Sequence, residues 1–220
     1  MTRRTARPAA VRGKEDVVSR DQKILDAAER LFFERSFDGV GVDEIGRAAG
    51  VTGSAIYTHF RAKDEILAAL FTRVFEALLA RLGEPDPDPA EELDKVLKAF
   101  VDLTTHHERL AGIWVREQRS LAEAHRREHD RRQRYITQRW VDCLSRLCPE
   151  ARTDEIVTAT RGVQLLLMSE ALRPPTGRRA RDAEELLLRM ARSSLAALAV
   201  TARSDGRDGD SPTRPATSLG

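Results

Sequence analysis

The side chains able to do chemistry are few and poorly grouped for catalysis. His125 and His129 stand four apart, a helical spacing able to hold a metal ion, but no third ligand is fixed by sequence, so they read as part of a solvated face. His107-Glu108-Arg109-Leu110-Ala111 begins like a zinc-protease helix yet lacks the second histidine, and Gly39-Val40-Gly41 lacks the third glycine of a dinucleotide loop. Neither a phosphate-binding Gly-Lys-Ser/Thr loop nor a Gly-x-Ser-x-Gly elbow occurs. Cys143 and Cys148 are the only cysteines, and their five-residue spacing in a helical pattern suits neither a zinc pair nor a disulfide, so they read as reduced and structural. No enzyme, cofactor or metal centre is expected. What remains is hydrogen-bonding chemistry: Thr52, Gly53, Ser54, Tyr57, Thr58 and His59 share one face of a helical stretch, opposite Ile56 and Phe60, and that face could enter a DNA major groove.

The elements that must position this face are legible around it. A helix from Ser19, with Gln22 completing a capping box, carries Ile24, Leu25, Ala28, Leu31 and Phe32 at helical spacing and stops at Phe37-Asp38-Gly39, where Gly39 supplies the permissive backbone. A second helix fits Val42 to Ala49 with Gly41 as its cap, and a third fits Gly53 to Phe60 capped by Thr52. Ala48 and Ala49 are small enough for close helix approach, Gly50 permits a left-handed turn, and Ile45, Val51, Ile56 and Phe60 lock the pair: a helix-turn-helix. A fourth helix opens at Lys63-Asp64-Glu65 and runs to about Leu82.

These residues resemble a known family. Ile24 to Phe71, and above all Ala49-Gly50-Val51-Thr52-Gly53-Ser54-Ala55-Ile56-Tyr57-Thr58-His59-Phe60 followed by Lys63, is similar to the N-terminal DNA-binding domain of TetR/AcrR transcriptional regulators. The resemblance implies phosphate contacts for Tyr57, His59 and Lys63. It also implies a C-terminal helical domain that binds a small molecule and dimerises through its last two long helices. Two positions depart from the family pattern: Gly41 stands where Thr or Ser usually caps the second helix, and Ser54 stands where Gly is frequent, adding a hydroxyl on the groove face.

Beyond Gly83-Glu84-Pro85-Asp86-Pro87-Asp88-Pro89, which forbids helix, the pattern stays helical with no strand signal. The expected fold class is therefore all-α: an N-terminal three-helix helix-turn-helix DNA-binding domain plus a C-terminal helical ligand-binding and dimerisation domain. The expected organisation is a disordered basic arm (1–18), the DNA-binding domain with its connecting helix (19–82), the Pro/Asp connector (83–89), the helical body (90–201) and a disordered tail (202–220). Val163, Leu166 and Leu167 on one helix, with Leu187, Met190, Ala191, Leu195 and Leu198 on the next, exceed what a thin monomer layer needs and suggest a four-helix dimer seam.

The string Ile113 to Leu121, with Arg131 to Ile136 and Trp140 later, resembles regulators of fatty-acid or sterol breakdown that sense acyl-CoA thioesters. That implies Phe100, Trp114, Glu117, Tyr135 and Trp140 around a small hydrophobic ligand or acyl-CoA, with the Arg cluster of 126–139, otherwise a solvated face, near its phosphates; by residue type alone Phe100 and Trp114 read first as core, and a pocket is a hollow in the core. Charge placement agrees with this division. The 37 basic and 35 acidic residues of the 220 leave +2, yet residues 1–14 hold five basic residues and no acid, and residues 84–95 hold six acids against one Lys. The longest apolar runs, Ile66 to Phe71 and Leu195 to Val200, are about a third of the ~18 residues a membrane span needs, so a cytoplasmic location without membrane partner is expected. The expected function is a ligand-released repressor binding a palindromic operator as a homodimer. Its rival is an effector-independent DNA-binding protein whose body only dimerises.

Overall fold

In the computed structural model the described residues are 9–173 and 177–205, with side chains described between 20 and 198. Nine α-helices occur among them, and no strand. The head comprises α1 (Ala9–Arg35), α2 (Val42–Ala49) and α3 (Gly53–Ile56), and α4 (Lys63–Leu82) leads out of it. The body comprises α5 (Pro89–His106), α6 (Glu108–Glu117), α7 (Glu123–Leu147), α8 (Thr153–Leu167) and α9 (Ala183–Asp205). Short 3-10 segments follow α6 at Gln118–Ser120 and α8 at Met168–Leu172.

Head and body share one apolar core. Ile24, Phe32, Ile45 and Ile56 of the head are continuous with Leu70, Phe71, Val74 and Phe75 of α4, and these with Phe100, Ile113, Ile136 and Trp140 of the body. Eight α4 residues are buried, because this helix is covered by the head at its start and by the body along its length. The connector ends as its prolines dictate: Asp88 caps α5 by accepting from the Ala90 N–H at 2.9 Å, and Pro89 occupies the first helical position, where a missing N–H costs nothing.

Several boundaries differ from the sequence reading. Helix α1 begins at Ala9, so the Ser19–Gln22 capping box is absent and Gly13 lies inside the helix. A single glycine costs only about 1 kcal/mol in a helix, and Ala9 and Ala10 favour it. Residues 1–8 of the expected arm and 206–220 of the expected tail lie outside the described residues, and Ala202 to Asp205 belong to α9. At the end of α1 the left-handed residue is Ser36 (φ 65°), not Gly39. Gly39 serves close approach instead, since a Cβ there would stand 2.4 Å from the Arg35 carbonyl oxygen.

Candidate functional site

The helix-turn-helix is built as its residue types require. Gly50 closes α2 in the left-handed region (φ 72°), and its N–H and that of Val51 bond back to Arg47 and Gly46 carbonyls. The Thr52 hydroxyl then accepts from the Ala55 N–H at 3.1 Å, capping α3 as expected. Close approach of the two helices falls to Gly46 and Gly53, where a Cβ would lie 3.1 Å from the Gly53 nitrogen and 1.9 Å from Asp43 Oδ1 respectively, while Ala49 is half-buried against the core and Ala48 is exposed. Only four residues of α3 are α-helical, but the His59 and Phe60 N–H groups both bond the Ile56 carbonyl at 2.8 Å and carry the turn to Phe60.

Tyr57 is 56% exposed, and Thr52, Ser54 and Thr58 stand exposed beside it. Thr52 and Ser54 hydroxyls lie 3.1 Å apart, and Thr58 donates to the Ala55 carbonyl at 2.7 Å. His59 is not part of this exposed face. Its ring is nearly buried, with Nδ1 2.5 Å from Asp21 Oδ1 of α1. Lys63, expected at a phosphate, turns inward: Nζ donates to the Phe37 carbonyl at 2.9 Å and the Val40 carbonyl at 3.0 Å, and sits 4.1 Å from the centroid of the Phe37 ring. An ammonium has three donors, and two of them here close the turn between α1 and α2.

A cavity of about 320 Å³ lies between head and body. Phe60, Ala68, Ala69, Phe71, Phe75 and Leu121 supply its apolar wall, and His59, Glu65, Thr72, His125, Glu128, His129 and Arg132 its polar groups. The volume is at the lower end for small-molecule pockets, and the lining is mixed, an apolar wall from α4 facing polar groups chiefly from α7. Two of its charges are already paired: Glu128 accepts from Arg132 at 2.8 Å and from Arg131 at 2.6 Å, which holds its carboxyl below the ordinary range. His129 is buried, not solvated. It accepts at Nε2 from the Trp114 indole N–H at 3.1 Å, which places any ring proton of the neutral form on Nδ1, beside Asp130, and its ring lies between Phe71 and Phe75 at 5.2 and 5.4 Å. No group of three or more His, Cys, Asp or Glu able to hold a metal ion occurs among the described residues.

The five residues expected around a ligand do not line this cavity. Phe100, Trp114 and Trp140 stack on one another edgewise or tilted, with centroids 6.5 and 5.4 Å apart, and fill the body core. Glu117 is buried and accepts from the Phe37 N–H at 3.2 Å. Tyr135 is half exposed over a smaller hollow of about 260 Å³ with Phe75, Leu79, Arg131, Arg132 and Ile136. The aromatic pattern marked a real core, and nothing local distinguishes core from cavity wall. Within the Arg cluster, Arg139 is no surface residue. It clamps Glu92 with bonds of 2.6 and 2.9 Å and donates to the Gly83 carbonyl at 2.7 Å, tying α7 to α5 and the connector.

The expected dimer seam is largely covered within one protomer. Val163, Leu167, Leu187, Ala191, Leu195 and Leu198 are buried where α8 and α9 pack together and on the body. Met190 is 44% exposed and Leu166 half-buried, and the sequence reading passed over Leu165, which is 66% exposed on α8. Its apolar neighbours on both sides hid it, since one face of a helix cannot be told from the other where all positions are apolar.

A short helix pair seated on a long first helix, ahead of a helical body, defines a helix-turn-helix protein with an all-helical second part. Residues 24–70 match the model for bacterial regulatory proteins of the tetR family, and residues 86–169 match that of the tetracyclin repressor-like C-terminal domain. The chain belongs to the TetR family of regulators. It is 28% identical to the HTH-type transcriptional repressor KstR2 of Mycobacterium tuberculosis over 133 residues, 59% of this chain and 66% of that protein. With the HTH-type transcriptional regulator AcrR of Shigella flexneri it shares 33% over 104 residues, 44% of this chain and 46% of that one. The chain thus spans between about half and two thirds of the curated relatives it matches.

The fold extends further than the sequence similarity. The structure of the ketosteroid transcriptional regulator KstR2 superposes with TM-score 0.68 at 22% identity, over 81% of this chain and 94% of that one. AibR, solved in complex with isovaleryl coenzyme A and operator DNA, superposes with TM-score 0.67 at 21% identity, over 81% and 97%.

Proposed function

We propose that this chain is a homodimeric repressor that reads a palindromic operator with the face of Thr52, Gly53, Ser54, Tyr57 and Thr58, and that a small hydrophobic effector in the cavity between α4 and α7 releases it. The carrying observation is the cavity wall. His59 and Phe60 belong to the head and Leu121, His125, Glu128 and His129 to the body, so an occupant touches both at once. Regulators of this family act as dimers, and two recognition faces about 34–36 Å apart meet successive major grooves. In this reading Tyr57 meets phosphate while His59 and Lys63 hold the scaffold, and Leu165, Leu166 and Met190 form the seam with the second copy.

An acyl-CoA suits the chemistry: its acyl part matches the apolar wall, and Arg119 and Arg126 line a neighbouring groove that shares His129 with the cavity. The effector must favour the DNA-incompetent state, and moving the population from 1:99 to 99:1 takes about 5.5 kcal/mol of differential affinity.

The test begins with duplexes selected by the purified protein from genomic fragments. Tyr57→Phe is expected to weaken binding at physiological salt with the circular dichroism spectrum unchanged; unaltered affinity sinks the assignment of the face. Acyl-CoAs of graded chain length are then titrated into the complex. Release by none of them, nor by sterols or other apolar compounds, favours a body that only dimerises.

A further inference from the structure

Two consecutive residues at the end of α6 grip the end of α1 and the turn that follows it. Arg116 donates from Nη2 to the Phe33 carbonyl at 3.0 Å, with its guanidinium 5.0 Å from the centre of the Phe33 ring. Glu117 accepts from the Phe37 N–H at 3.2 Å through Oε1, while its Oε2 accepts from the Ser120 hydroxyl at 3.1 Å. One turn earlier, Gly112 lets the Phe33 ring in, since a Cβ there would stand 2.9 Å from its Cε2. The body thus reaches the head through a buried carboxylate, only 7% exposed, that is oriented at both oxygens.

Phe37 is also the residue whose carbonyl Lys63 holds from the start of α4. Its main chain is therefore fixed at the N–H by the body and at the C=O by α4, directly after the left-handed Ser36 and four residues before the cap of α2. A backbone N–H to carboxylate bond is charge-assisted and about twice as strong as a neutral one, and this one sets where the chain turns into the helix-turn-helix.

We infer that Glu117 is a positioning residue for operator recognition, holding α2 and α3 at a fixed angle to the body through the Phe37 amide. This rests on the operator-binding reading above. A dimer pays in affinity for any freedom of its two heads relative to their groove spacing, so a loosened turn weakens binding without removing a contact to DNA.

The test compares Glu117→Ala, Glu117→Gln and Cys143→Ser in the whole 220-residue chain, on a duplex selected by the wild type. Glu117→Ala is expected to raise Kd about tenfold, near 1.4 kcal/mol, with the salt dependence of log Kd unchanged because no phosphate contact is lost. Glu117→Gln keeps an acceptor oxygen without the charge and is expected to restore part of the affinity. Cys143→Ser perturbs a buried site remote from Phe37 in sequence and provides the control for loss of stability alone. Exchange of the Phe37 amide, followed by NMR, is expected to quicken in Glu117→Ala and not in Cys143→Ser.

Wild-type Kd in Glu117→Ala, no rescue by Gln, or an equal loss in Cys143→Ser overturns the inference. Should the wild type select no duplex, the operator reading fails and takes with it the role of Glu117 in recognition. If Glu117→Ala does not fold, Glu117→Asp, one methylene too short to reach, takes its place in every arm.

Discussion

Replacing Arg139 by Met is expected to be among the most damaging single changes in the body. The guanidinium makes two bonds to Glu92, of 2.6 and 2.9 Å, and one of 2.7 Å to the Gly83 carbonyl, and both side chains are 5% exposed. Removing it leaves a carboxylate buried with only the Asp86 N–H, at 2.9 Å, as a direct partner. Breaking a buried pair on one side costs about 3–5 kcal/mol, which for a chain of this size lowers Tm by roughly 6–20 °C. The double change Glu92→Leu with Arg139→Met removes the stranded charge and is expected to recover part of that. Recovery is incomplete, because the Gly83 carbonyl and the Asp86 N–H lose these partners.

The same pair makes a pH prediction. Burial pushes the Glu92 carboxyl up, but the bonds from Arg139 and the Asp86 N–H outweigh it and hold the group below the ordinary carboxylate value. A folded pKa below the unfolded one means that this contribution to stability is complete above about pH 4.3 and is lost as pH falls through the folded pKa. In Arg139→Met burial meets less opposition, so the gap between variant and wild type is expected to be widest at pH 7 and to narrow toward pH 4. Urea unfolding followed by circular dichroism at both pH values measures it. A single-variant loss below about 1 kcal/mol at pH 7, or a double variant no more stable than the single, refutes the account of this pair.

Three further outcomes are expected. Gly50→Ala places a side chain at φ 72° and is expected to cost about 1–2 kcal/mol, with Gly50→Asn costing less, both read from thermal melts. Leu165→Glu combined with Met190→Glu puts charge on the apolar positions that α8 and α9 leave exposed, and sedimentation is expected to show monomers with unchanged helicity; a persisting dimer places the seam elsewhere. Burial pushes the Cys143 thiol up to about 12, so at pH 8 a disulfide reagent is expected to modify only Cys148 in the native protein and both thiols in urea.

Much of the head follows from local residue types. The helix α2 spans Val42 to Ala49 as its pattern requires, with Gly41 before it, Gly50 in the left-handed turn and Thr52 capping α3. Each of these is a decision within four residues, made by backbone freedom or by a side chain reaching its own neighbours. The all-helical class and the connector also follow from periodicity and proline placement.

Tertiary structure alone decided which polar side chains are spent inside the molecule. Lys63, His59, Arg139, Glu117 and His129 each look like surface or ligand residues in sequence, yet each meets a partner from 15 to 80 positions away or, for His59, on α1. It also decided that Phe100, Trp114 and Trp140 fill the core while the cavity opens elsewhere, between α4 and α7. Spacing reports which residues share a helical face. What lies against that face depends on where other helices are packed, and that depends on the whole chain burying its apolar surface at once.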